Sequence, residues 1–350
     1  MSMPPNRPRP TDNRPILGLT MGDPAGIGPE VIAKALAHRA VRALCRPIVI
    51  GSLPVMERTI RSLRLRLRTV TVHDHTEAWG SSVDVPVLDP LERPLGKFRA
   101  GAVAEKTGAA SVAFIQTAVR LAQAGCTDAI VTGPINKEAI NLAGCHYPGH
   151  TELLAALTNA KESGMMILGG PLKVMFTTTH VAVRDLADAL TTERVARAIR
   201  LANRGLCEYF GVTKPRIGVA ALNPHAGESG LFGNEEREVI LPASRRARRA
   251  GIQASDPLPA DTLFGKAARG EYDGVVAMYH DQGLIPLKLV AFGACVNLTV
   301  GLPIIRTSVD HGTAYDIVGK GIADPGSLIE AIKLAADLAK KRRRTPCPKG

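Results

Sequence analysis

The chain has 350 residues, enough for two domains of ordinary size around substantial cores. It is 45% hydrophobic but only 4% aromatic, and no apolar run approaches the roughly 20 residues of a membrane span, so no membrane partner is expected. The formal net charge of +12 sits mostly at the ends, +2 in residues 1–14 and +6 in residues 340–350. The remaining +4 suits an anionic small substrate and gives no evidence for a nucleic-acid partner.

The opening MSMPPNRPRPTDNRP lacks the apolar core of a secretory signal, and its composition predicts a disordered leader over residues 1–14. ILGLT (16–20) reads as a strand, followed by a glycine-rich turn and a helix opened by Pro29. LRLRLR (63–68) alternates with period two and predicts an edge strand with a solvated arginine face. A helical stripe from Lys106 to Ala124 is closed by Gly125, and DAIVT (128–132) is the next strand. GPINK (133–137) leaves that strand carrying Asn136 and Lys137. KVMFTTT (173–179), RIGVAAL (216–222), GVVAMY (274–279) and ACVNLTV (294–300) follow as strands, with a clear helix from Thr192 to Tyr209. The last helix is expected from Leu328 to about Ala339, with Asp324 as N-cap, and residues 341–350 form a basic tail. This alternation predicts an α/β protein with a largely parallel sheet. The six cysteines are scattered without a C-x-x-C pair, which argues for reduced thiols in the cytoplasm.

In open α/β sheets ligands bind beyond the carboxyl ends of the strands. His180 follows KVMFTTT, His225 lies just past RIGVAAL in LNPHAGESG, and His280 follows GVVAMY. One such histidine is more often a hydrogen-bonded loop residue. Three at equivalent addresses favour a divalent-metal site, because catalytic sites use three protein ligands and keep a position open. His150 and Thr151, in YPGHTELL, either cap the following helix or offer donors to an anion. Lys288 sits in an otherwise apolar stretch, as a snorkelling surface lysine or as the partner of a phosphate or carboxylate. Asn297 follows on the same path, and Arg306 after GLPII suits the same anionic groups.

Taken together, TMGDPAGIGPEV, GPINKEAI, GHTELL, TTTHVAVRD, LNPHAGESGLFGNEE, PLPADTLF, YHDQGLIPLKL and VNLTVGLPIIRTSVDHGTAYDI closely resemble the 4-hydroxythreonine-4-phosphate dehydrogenase family of vitamin B6 biosynthesis, over about residues 15–340. DHGTAYDIVGKGIADP is also similar to the H-G-S-A-x-D-I-A-G-K-G stretch that lies against the adenosine half of the dinucleotide in isopropylmalate and isocitrate dehydrogenases. No G-x-G-x-x-G follows the first strand. The resemblance implies an isocitrate/isopropylmalate-dehydrogenase-like three-layer α/β/α fold, with two domains around a cleft. A first, dinucleotide-side domain would comprise 15–143 with 307–340, and a second, carrying metal, substrate and dimer interface, 144–306.

Carried onto this sequence, the resemblance makes His180, His225 and His280 ligands of one divalent metal (zinc, magnesium or cobalt), with His280 completing the site of a partner subunit in a homodimer. His150, Thr151, Lys288, Asn297 and Arg306 match substrate-binding positions. Lys288, Asp261 and Asp281 are the acid–base candidates, and His311, Gly312 and Asp316 the cofactor contacts for NAD or NADP. The implied reaction oxidises C3 of 4-phosphooxy-L-threonine and releases carbon dioxide to give 3-amino-2-oxopropyl phosphate, in pyridoxal phosphate biosynthesis. A sister group with the same histidines acts instead on 4-phospho-D-threonate or 4-phospho-D-erythronate.

Overall fold

The structure, a computed structural model, describes residues 12–74 and 83–344. The chain divides into two units, one of residues 1–146 with 311–350 and the other of Tyr147–Asp310.

The first unit contains β1 (Ile16–Thr20), α1 (Gly28–Ala37), α2 (Arg39–Leu44), β2 (Arg46–Ile50), α3 (Leu53–Ser62), β3 (Arg68–Thr71), β4 (Asp84–Leu88), α4 (Glu105–Gln123), β5 (Ala129–Thr132) and α5 (Lys137–Leu142). A long C-terminal helix, Gly326–Arg344, returns to it. Its strands run parallel in the order β3-β4-β2-β1-β5. β1 and β2 are buried along their whole length, as central parallel strands covered on both faces must be. Both α4, which buries Phe114 and Ile115, and the C-terminal helix pack on β1 and β5. The turn after β1 folds back tightly: a Cβ on Gly28 would lie 2.1 Å from the Met21 carbonyl oxygen, so only glycine opens α1 there.

LRLRLR is not a strand. α3 runs on to Ser62, Leu63 caps it, and Arg64 turns back at φ 52°, with the Leu65 amide bonding the Ile60 carbonyl. Only Arg68 of the repeat enters β3, because helix closure takes the preceding residues. Residues 1–11 of the expected leader lie outside the described residues. Asp12–Arg14 are held: Arg14 pairs with Asp12 at 2.5 Å and its Nη1 donates to the Arg42 carbonyl. The expected basic tail begins inside the last helix, where Arg343 forms a 2.5 Å ion pair with Asp128; residues 345–350 lie outside the described residues.

The second unit contains α6 (His150–Thr158), β6 (Gly164–Gly169), β7 (Leu172–Phe176), α7 (Leu186–Ala189), α8 (Thr192–Phe210), β8 (Arg216–Ala220), α9 (Leu241–Arg249), β9 (Gln253–Leu258), α10 (Ala260–Ala268), β10 (Gly274–Ala277), α11 (His280–Ala291), β11 (Val296–Val300) and β12 (Arg306–Val309). The order is β12-β11-β6-β7-β10-β8-β9. β7, β10, β8 and β9 are parallel neighbours, whereas β12, β11, β6 and β7 pair antiparallel, a departure from the largely parallel sheet expected. Its core packs Phe176, Val275 and Leu287 against Leu263 and Phe264 of α10. The unit closes at Asp310 rather than 306 because β12, with Arg306 inside it, belongs to this sheet through β11. It opens at Tyr147 rather than 144, since Cys145 still bonds back to Ile140 of α5.

Candidate active site

β7, β10 and β8 are adjacent and parallel, and the segments leaving their carboxyl ends carry His180, His280 and His225. The Thr178 amide and hydroxyl both donate to the Met278 carbonyl, at 3.2 and 2.8 Å, which ties the His180 segment to the His280 segment. His180 and His280 stand with ring centroids 5.9 Å apart. Both line a cavity of about 300 Å³ with Tyr279, Asp281 and Leu186. His280 is the first residue of α11, not the end of a strand, because Tyr279 takes the extended N-cap position.

His225 is presented differently. Residues His225–Ser229 all have left-handed backbone, with φ of 52°, 56°, 80°, 44° and 59°, inside the turn Pro224–Gly230. Only one of the five is glycine, and each L residue held so costs roughly 1–2 kcal/mol. Among the described residues of one chain, no group of three His, Cys, Asp or Glu side chains comes together to hold a metal ion.

Two of the histidines nevertheless have the second partner that a metal-ligating imidazole uses. His280 Nδ1 lies 2.6 Å from Asp281 Oδ1, and His225 Nδ1 lies 3.0 Å from Glu228 Oε2. A carboxylate only accepts, so each Nδ1 carries the hydrogen and directs the lone pair of Nε2 outward. The donor chemistry fits a divalent cation of the zinc type. Asp281 thus stands as the orienting partner of His280. Asp261 lies exposed in the first turn of α10, with its Oδ1 accepting from the adjacent Thr262 amide at 2.9 Å.

A second group of polar side chains gathers around β11 and β12. Thr299 faces Arg306 across this antiparallel pair, and Asn297 shares the Thr299 face. Arg306 is 1% exposed, and its Nη1 donates to Thr299 Oγ1 at 2.9 Å. Burial presses its pKa down to about 9, opposed by the charge of Glu152. A guanidinium keeps its proton at neutral pH, so Arg306 carries its charge inside the unit. His150 is held neutral, its pKa well below the usual value through burial first and the Arg306 charge second. His150 Nε2 and Asn297 Oδ1 are both buried without a hydrogen-bond partner among the described residues. Neither His150 nor Thr151 caps α6: Gly149 is the N-cap and no side chain bonds there. Lys288 Nζ stands 4.0 Å from the carboxylate of Asp310, an acid the sequence motifs did not single out.

In the first unit the loop after β1 meets the DHGTAYDI stretch directly. Asp23 is buried, its Oδ1 accepts from the Ala25 amide at 2.8 Å, and its Oδ2 accepts from the Tyr315 hydroxyl at 2.6 Å. Burial, then the Asp23 carboxylate, pushes the Tyr315 phenol upward, so it stays a donor. The Ile27 amide donates to the Thr313 carbonyl. His311 Nδ1 lies 3.0 Å from the Gly312 carbonyl, while Nε2 is buried without a partner among the described residues. Asp316 sits in the 3-10 turn Tyr315–Ile317. Asn136 is turned to its own helix, where its side chain accepts from the Ala139 amide and caps α5.

Known proteins resemble this chain over most of its length. Residues 43–335 match the family model described as pyridoxal phosphate biosynthetic protein PdxA. A 4-hydroxythreonine-4-phosphate dehydrogenase of Desulforapulum autotrophicum is 48% identical over 93% of this chain and 96% of its own length. A D-threonate 4-phosphate dehydrogenase of Cupriavidus necator is 47% identical over 95% of this chain and 99% of its own. The crystal structure of a 4-hydroxythreonine-4-phosphate dehydrogenase from Klebsiella pneumoniae superposes with a TM-score of 0.85, at 44% identity, covering 93% of this chain and 99% of that one. Matched over most of its length by family model, sequence relatives and solved structure alike, this chain belongs to the PdxA family of dehydrogenases.

Proposed function

We propose that this chain is a metal-dependent, NAD- or NADP-linked dehydrogenase that oxidises C3 of 4-phosphooxy-L-threonine and releases carbon dioxide, forming 3-amino-2-oxopropyl phosphate. The observation that carries this reading is the placing of His180, His280 and His225 at the ends of three neighbouring parallel strands, two with carboxylates behind Nδ1. His180 and His225 would hold the metal, with His280 supplied to the site of a second copy. A divalent metal there favours ionisation of a bound hydroxyl, and a nicotinamide accepts hydride.

The chain's own residues bind and orient. Arg306, Asn297 and His150 receive an anionic end of the substrate, and the buried guanidinium of Arg306 with the buried, unpartnered Nε2 of His150 supports that role. Thr151, half-buried in the first turn of α6, adds a hydroxyl. Lys288 holds charge near the reacting carbon, with Asp310 behind it. Lys288, Asp281 and Asp261 are the groups through which the hydroxyl proton leaves, directly or by water. Loss of carbon dioxide then follows from the substrate: a ketone β to a carboxylate gives the departing electrons a sink. His311, Gly312 and Asp316 would contact the adenosine half of the dinucleotide, supported by the likeness of their stretch to the adenosine loop of isopropylmalate dehydrogenases and by the buried Nε2 of His311.

A homodimer with a shared site is supported by the outer face of α11 and its C-cap, where Ile285, Leu289 and Phe292 are 67%, 84% and 85% exposed beside Lys288. A cytoplasmic enzyme is the reading of six scattered cysteines without a C-x-x-C pair. No helix among the described residues is long and apolar enough to cross a membrane.

A second reading, oxidation of 4-phospho-D-threonate or 4-phospho-D-erythronate, is favoured by the Cupriavidus necator relative, whose identity is within one per cent of the first. Formation of reduced dinucleotide is to be followed with each substrate, with divalent metal and again with chelator. Chelator-sensitive turnover of the L-amino acid alone is the expected result. Turnover of the D-acid alone moves the enzyme to the second reading, and silence with all three substrates defeats both.

A further inference from the structure

Glu236 is a buried acid that plays no part in the chemistry above. It opens a π-helical turn, Glu236–Ile240, and is 6% exposed. Its Oε1 accepts from the amides of Leu222 and Asn223, each at 2.8 Å, and its Oε2 lies 3.1 Å from Asn223 Nδ2. Asn223 Nδ2 also donates to Glu235 Oε2 at 2.6 Å. The acceptors of one carboxylate are therefore committed to the short link between β8 and His225. The left-handed run begins directly beyond that link. A Cβ on Gly227, in the middle of the run, would lie 2.7 Å from Glu236 Oε2, so the turn wraps closely over the carboxylate.

A buried carboxylate without its N–H donors is strongly disfavoured, and so is a run of left-handed L residues without outside support. Here the carboxylate has its donors in the link that leads into the run, and the run packs closely over it at Gly227. Gln282 extends the same system to the neighbouring strand: its Oε1 accepts from the Met278 amide at 2.7 Å and its Nε2 donates to the Ala221 carbonyl at 2.6 Å. Met278 in turn accepts from Thr178. Hydrogen bonds thus run without a break from the segment before His180, through the residues flanking His280, to the residues preceding His225.

The geometry points to Glu236 and Gln282 as positioning residues that fix the orientation of His225 and His280, each histidine being presented to its own site or to that of a second copy. Glu236 acts through the link that leads into the left-handed turn, and Gln282 through the join between the ends of β8 and β10. The inference rests on the metal reading proposed above. Neither side chain touches the metal; they act as outer partners whose loss misplaces ligands, which typically weakens metal affinity about 10–100-fold.

The test is cobalt binding by the purified full chain, read by calorimetry and by visible absorption at a temperature well below melting. Circular dichroism reports the fold of each variant. Glu236→Gln keeps one acceptor and places an amide where Oε2 faces Asn223. Gln282→Met keeps the length and removes both hydrogen bonds. Both are expected to hold the native fold and to bind cobalt about 10-fold more weakly, with an altered absorption band, and Glu236→Ala more weakly still. A residue that only stabilised the fold would lower the melting temperature and leave the affinity and spectrum of the folded protein unchanged. That outcome overturns the inference, as does wild-type affinity in both folded conservative variants. His225→Ala is the reference: if it binds cobalt like wild type, the metal reading itself has failed, and the positioning roles fall with it.

Discussion

Beyond β1 in the first unit, Asp23 is wholly buried and both of its oxygens are taken, one by the Ala25 amide and one by the Tyr315 hydroxyl. Beyond β8 in the second unit, Glu228 and His225 are more than half exposed, and His225 Nδ1 lies 3.0 Å from Glu228 Oε2. The two loops occupy the same topological position at the carboxyl end of a parallel strand. They divide the tasks of such a position between them: one closes on itself and fixes the backbone, and the other leaves donor atoms available to a ligand. Strand-end location alone therefore does not mark a binding residue. What distinguishes the loop of the second unit is that its ionisable pair stands more than half exposed, where the Asp23 carboxylate of the first is buried.

Substitutions at the two loops should break this contrast in opposite ways. His225→Ala should abolish turnover, by about a thousandfold or more, the several kcal/mol that a metal supplies to a developing oxyanion. Metal content after gel filtration should fall with it while circular dichroism stays native, and full activity in a metal-free variant would end the assignment. Arg306→Ala is expected to raise KM for the phosphorylated substrate by roughly 10–100-fold, the weight of a charge-assisted hydrogen bond. A change confined to KM for the dinucleotide would place Arg306 in the wrong subsite.

Tyr315→Phe in the first unit should act on stability, not on metal. Removing its hydroxyl leaves Asp23 Oδ2 buried without that donor, a loss of about 1–3 kcal/mol in urea denaturation with unchanged cobalt affinity. Loss of metal binding in this variant would erase the distinction between the loops.

The smallest effect belongs to His150. Its pKa is lowered in the folded protein, so the folded state resists a proton that the unfolded state takes up below pH 6.5. The stability set by the neutral ring is complete above pH 6.5 and is lost as pH falls below it. Between pH 7.5 and 5.5 the wild type should lose about 1 kcal/mol more than His150→Gln. Parallel pH dependence in the two proteins would show that the ring is not held neutral.

Much of this site was legible in the sequence because strand ends are a local signal. KVMFTTT and GVVAMY open with buried strands marked by their apolar runs and are followed at once by His180 and His280, and RIGVAAL is followed three residues on by His225. What was not legible depends on partners distant in the chain or on backbone shape. Asp23 and Tyr315 are 292 residues apart, and nothing in either motif announces the hydrogen bond. HAGES contains a single glycine, so its left-handed run is visible only once Glu236 is seen beneath it. The hairpin of β6 and β7, turning through Gly170 at φ 52°, put antiparallel strands where alternating elements suggested parallel ones. LRLRLR misled because period two also arises where a helix ends and the chain doubles back.

The return of the C-terminal helix to β1 and β5 has a consequence for biosynthesis. Residues 147–310 form a contiguous unit, all of which is synthesised before the helix that covers β5. Domains generally fold as units during synthesis, at about 5–20 residues per second. The histidine-bearing unit is therefore fully synthesised while the earlier-synthesised strands β1 and β5 still lack the helix that packs on them and the Arg343–Asp128 ion pair.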